Sequence, residues 1–208
     1  MNFLVKWKGN FLMFHENLQI ENTKIHCVLV LILCVTLRQT LSNFVIQLVK
    51  SYLKFLWYSK NEHGVHSPFV FLLVTKCFYD KTNFKPYSPK LETKTKKGKF
   101  LNRLFHYFQF EKGIYISENK KNETLKVDFI YIDSTYLNDQ NIELESIIAF
   151  ANNETCIIFE NPHNSKVTEK HWKSVVASSN FNVTIDIFSF GLAFIRKEQV
   201  KEHFTIRV

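Results

Sequence analysis

The stretch "NVTIDIFSFGLAFIRK", Asn182 to Lys197, holds two apolar runs, "NVTIDIF" (182–188) and "GLAFIRK" (191–197), with only Ser189 and Phe190 between them. Two residues are too few for a helical crossover, so the runs are expected to pair antiparallel as a hairpin. Upstream the rhythm differs. "VDFIYID" (127–133) and "TCIIFE" (155–160) are apolar runs of strand length, each followed by helical spacing, at 139–151 and at 165–178. Strand and helix in alternation predict α/β architecture with parallel strands. Two parallel strands followed by an antiparallel hairpin are an uncommon order, and that order sets the expected fold class.

Ahead of the strands the sequence is helical. Leu41, Phe44, Val45, Leu48, Val49, Tyr52, Leu53, Leu56 and Trp57 recur at three- and four-residue steps, with Lys50, Lys54 and Lys60 off that face. The pattern predicts an amphipathic helix over 41–60. "NEHGVHSPFVF" (61–71) punctuates it: Gly64 is read as the helix stop, Ser67 as an N-cap and Pro68 as the first position of a second helix running to Tyr79. His63 and His66 flank that break with no third ligand in sequence reach, so they are read as structure rather than as a metal site. A lysine-rich link, 80–99, leads to "FLNRLFHYFQF" (100–110), a third helix. The chain thus divides into an N-terminal extension (1–40) with no assigned role, a helical leader region (41–110) and an α/β domain (111–208).

With 208 residues the chain can bury a core of ordinary size. Its net charge of +8 permits contact with polyanions. The densest basic run, "KLETKTKKGK" (90–99), has no aromatic interleaving, so a solvated loop is expected and no specific nucleic-acid partner. Cys27, Cys34, Cys77 and Cys156 lie scattered in apolar runs without C-x-x-C spacing, which points to reduced, buried thiols and a cytoplasmic location. The apolar run "CVLVLILCVTL" (27–37) is about half the length of a membrane-spanning helix and lacks the features of a signal peptide. Weak contact of residues 27–60 with a membrane surface stays open as an alternative.

The order of strands, together with "YLKFLWYSKNEHGVHSPFVFLLVTKCFYDK", the helix Phe100 to Gln109, "VDFIYIDSTY", "IIFENPHNSK" and the tail from Val183 to Val208, resembles the class I S-adenosylmethionine-dependent methyltransferases. The resemblance is closest to a bacterial O-methyltransferase-like branch and covers roughly residues 45 to 208. It implies the second half of a Rossmann-like methyltransferase sheet, ending in an antiparallel hairpin at the sheet edge. It places Asp133 at the end of the fourth strand and Glu160 and Asn161 at the end of the fifth, where related enzymes hold a magnesium ion that grips the acceptor hydroxyls. Oxygen ligands from neighbouring strand ends suit a hard cation. The resemblance also puts His163 in the place of a pocket base, making His163 and Asp133 the catalytic candidates, with a small-molecule methyl acceptor.

The same resemblance exposes an absence in the sequence. The donor S-adenosylmethionine is held by a glycine-rich turn after the first strand and an acidic residue after the second, because glycine lets the backbone approach the ligand. Between Phe110 and Val127 stands only "EKGIYISENKKNETLK", and no G-x-G occurs anywhere in the chain. A single β-α-β unit takes about 30 residues. "GIYIS" is expected to form one short strand, with Glu118 the only acidic residue near its end. The resulting reading is a methyltransferase-like protein of impaired activity. Its alternatives are a non-catalytic partner-binding remnant and a membrane-surface protein. The strands that remain are expected to leave an open edge that an oligomer or a protein partner covers.

Overall fold

A computed structural model describes residues 43–82, 84–87, 93–116, 127–138 and 144–208. The expectations for residues 1–40, for Cys27 and Cys34, and for Glu118 fall outside them. Two compact units divide the chain, Met1–Gln47 and Leu48–Val208.

The first helix, α1 (43–58), ends six residues before Gly64. The chain leaves it extended, and Lys60 bridges to Ile206, donating its amide to Thr205 O at 2.8 Å and accepting from Arg207 N. Gly64 closes a short 3-10 turn, Glu62–Gly64, and no described glycine has a positive φ. The helix stop expected of Gly64 is therefore corrected: strand-like pairing of Lys60 ends α1. Helix α2 (Pro68–Leu73) begins as the sequence suggests, with Ser67 Oγ accepting from Val70 N and proline in the first turn. It continues as a π turn, Val74–Phe78, where Thr75 Oγ1 donates back to Phe71 O.

Helix α3 (Lys96–Phe108) starts inside the lysine-rich link. Thr95 Oγ1 accepts from Gly98 N at 3.0 Å, and Gln109 ends the helix in the left-handed region with φ 54°. Three lysines in the first turn conceal this cap in a charge count, and Thr95 is the residue that gives it away.

Among the described residues six strands form one sheet: β1 (Gly113–Ile116), β2 (Phe129–Ile132), β3 (Cys156–Glu160), β4 (Val183–Asp186), β5 (Phe190–Phe194) and β6 (Glu202–Thr205). Their order is β1-β2-β3-β5-β4-β6, and β5 alone runs against the other five. The hairpin is present, with Asp186 opposite Gly191. It does not form the edge, because β6 adds in parallel outside β4, pairing Ile185 with Phe204. The strand signal of "EHFT" is weak, since only Phe204 is buried along it.

Short helices α4 (Ser134–Leu137) and α5 (Leu144–Ile148) follow β2, and α6 (Lys166–Ala177) follows β3. Helix α6 opens with a reciprocal cap: Ser165 Oγ accepts from Thr168 N while Thr168 Oγ1 accepts from Ser165 N.

Alternation along β3 shows how the layers form. Cys156 and Ile158 join the core with α2, α3 and the inner residues of β4 to β6, whereas Ile157 and Phe159 join the core with α4, α5 and α6. Both faces are covered, which is why "CIIF" reads as an unbroken apolar run. Ile157, Ile158 and Phe159, all fully buried, contribute on the order of 1.5–3 kcal/mol each.

Candidate functional site at the strand ends

The C-terminal ends of β2 and β3 lie side by side, since Ile132 pairs with Phe159. Asp133 and Glu160 therefore follow at neighbouring strand ends, as the sequence implied. Their partners were not foreseen. Asp133 caps α4 and takes both the amide and the hydroxyl of Thr135, each at 2.6 Å. Asn161, held at φ 49°, donates its amide to Ser189 O at 2.9 Å, tying the end of β3 to the hairpin turn. Lys97, from the first turn of α3, donates to Asn161 Oδ1 at 2.5 Å and to Glu160 Oε1 at 3.3 Å.

Lys97 decides the electrostatics of this end of the sheet. Its ammonium neutralises Glu160 where the sequence reading expected a magnesium ion. Glu160 also faces the phenol of Tyr131, which burial first, and the carboxylate second, hold well above the ordinary tyrosine range. Among the described residues no three His, Cys, Asp or Glu side chains gather closely enough to hold a metal ion. One ammonium thus sits on Glu160 Oε1 and Asn161 Oδ1, and Thr135 on Oδ1 of Asp133, so a divalent cation held by these three would have to displace Lys97.

His163 is built into a different set of contacts. Its Nε2 donates to Asp186 Oδ2 at 2.7 Å, and its ring stacks on Phe188 with 5.2 Å between centroids and planes 10° apart. Asp186, only 5% exposed, also accepts from Trp172 Nε1 at 3.2 Å and from Phe188 N at 2.8 Å. Three donors on one buried carboxylate fix it in place. Trp172 reaches it because its indole lies over Gly191, where a Cβ would come within 2.6 Å of the ring.

A cavity of about 350 Å³ opens between Lys97, Asn161, His163 and Phe188, so His163 and the Lys97 group face one space, whereas Asp133 is not on its wall. Neither Lys97 nor Asp186 was singled out from sequence. The signal for Asp186 was present, as a lone acid between two isoleucines in a strand.

His63 and His66 do not converge on a site. His63 is exposed and pairs with its neighbour Glu62, at 3.5 Å. Comparison of the chain with protein-family models, with curated proteins and with solved structures finds no match.

Proposed function

We propose that the chain is a methyltransferase-like protein of the O-methyltransferase type that keeps the acceptor end of the fold and has lost the donor end, so that it does not transfer a methyl group from S-adenosylmethionine. The carrying observation is the shortness of the segment from β1 to β2. Residues 113–132 include both strands and are fewer than the about 30 residues of one β-α-β unit. The reversed strand β5 between β3 and β4 supports the Rossmann-like reading, being the order of the second half of such a sheet. Lys97 supports the loss of metal-assisted chemistry by placing a tethered cation on Glu160 and Asn161. A cytoplasmic location belongs to the same reading, supported by the free, buried thiols Cys77 and Cys156.

Calorimetry with S-adenosylmethionine and with S-adenosylhomocysteine tests the proposal. No saturable heat is expected at ligand concentrations of about 1 mM, which corresponds to binding weaker than about 4 kcal/mol. Micromolar binding of either ligand overturns the loss of the donor end.

A second reading, contact with a membrane surface, is favoured by one stripe of α1. Val49, Leu53 and Trp57 follow at four-residue steps and are 50%, 60% and 85% exposed, with Lys50 and Lys54 beside them. No helix among the described residues is long and apolar enough to cross a membrane. Flotation with anionic vesicles decides it: the full chain rises and Trp57→Glu does not, whereas equal behaviour of the two removes the reading.

A further inference from the structure

His163 also lines a second cavity, of about 330 Å³, whose other lining residues come from α1, α6, β4 and β6. Phe55, Tyr58, Trp172, Val176 and Ala177 supply apolar wall, and polar or charged side chains, among them Lys54, Glu169, Lys173 and Asp186, complete the lining. The acids on its lining are already engaged. Asp186 takes three donors, and Glu169 pairs with Lys173 at 2.8 Å, its carboxyl held below the ordinary range first by the Lys173 hydrogen bond. His203 gives Nδ1 to a hydrogen bond with Thr184 Oγ1, and burial against its surroundings lowers its pKa and favours the neutral ring.

Lys54 is different. It lines the cavity from an exposed position on α1 and makes no hydrogen bond or ion pair among the described residues, although its charge reaches Glu169. A ligand complementary to this lining brings an anion to Lys54 and an apolar body to the aromatic walls. A cationic ligand would find both acids occupied and two ammonium groups at the rim.

We propose that this cavity is a binding site for a small apolar carboxylate, of the aryl or short aliphatic class, whose carboxylate pairs with Lys54 while its body packs between Phe55, Trp172 and Val176. The cavity's chemistry stands whether or not the chain binds S-adenosylmethionine, because no part of it uses the donor end.

Calorimetry on the full chain with phenylacetate, hexanoate, benzyl alcohol and benzylamine tests it. Saturable binding is expected for the two carboxylates, weaker binding for the alcohol and none for the amine. Lys54→Gln, at an exposed helical position that leaves the core untouched, is expected to weaken phenylacetate at least about fivefold, the loss of one charge-assisted contact. Val176→Trp fills the slot and is expected to abolish binding of both acids. The proposal is overturned if benzyl alcohol binds as tightly as phenylacetate, if Lys54→Gln leaves the affinity unchanged, or if no carboxylate produces saturable heat up to about 10 mM.

Discussion

Asp186 is the residue on which much of the geometry of the strand ends depends, since His163, Trp172 and the turn at Phe188 all point their hydrogens at it. Asp186→Asn presents an NH2 group to donors that have no need of one, so at least one donor loses its acceptor. A destabilisation of about 1–3 kcal/mol is expected in urea unfolding. Gly191→Ala reaches the same assembly by a steric route: the new methyl meets the Trp172 ring, and about 1–3 kcal/mol is expected with a shift in tryptophan emission. Much of this was legible only in part. His163 could be singled out from its place after a strand, but its partner lies across the sheet in β4, and pairing between distant strands leaves no mark in local spacing. Lys97 was hidden for another reason. In a run of lysines, charge composition suggested solvent, and only the cap at Thr95 shows that the second of them turns inward to Glu160.

At the level of elements, the strands with two buried faces were the easiest to read, because burial on both sides leaves an apolar run that no turn interrupts. Strand β3 is the clear case. Strand β6 was missed because an edge strand buries one residue in two and here flanks it with charge. Its contribution is nonetheless large: Phe204 is 5% exposed, and Phe204→Ala is expected to cost about 3 kcal/mol, read from the urea midpoint at constant slope. The cysteines carry a prediction for β3 and the π turn after α2. Burial first of all raises Cys77 from an ordinary value of 9.0 to about 12 and pushes Cys156 up as well. Both thiols therefore stay protonated in the folded state well above neutrality. Iodoacetamide at pH 8 is expected to label neither until urea is added, as peptide mass mapping will show. The linkage has a definite sign: between about pH 9 and 12 the unfolded chain releases protons that the folded one retains, so stability falls as pH rises through that window.

For the whole unit, the alternation of strand and helix gave the α/β class, and the two-residue link gave the antiparallel pairing of β4 with β5, though not the place of β5 beside β3. What the sequence did not convey was β6, which pairs outside the hairpin and becomes the edge at which the hairpin was expected to end the sheet. The opposite side rests on β1, which has β2 as its sheet neighbour among the described residues and carries the half-exposed Tyr115. An edge strand is a template for another chain. Sedimentation over about a hundredfold dilution is expected to show a concentration-dependent species, and Tyr115→Lys is expected to shift the equilibrium toward the monomer. A single species at all concentrations would leave the edge without a self-association role.

The ties between the leader and the tail bear on how the chain reaches this state. Ser67 bonds to Gln199 across 132 residues, Tyr79 OH to Arg207 O across 128, and Lys60 bridges to Ile206 beside them. Contacts of such separation pay their loop-closure entropy before they return anything, and they slow the search for the native topology. Refolding is therefore expected to be late and concerted at this seam, with α2 and the far edge of the sheet locking in a single step after the central strands have paired.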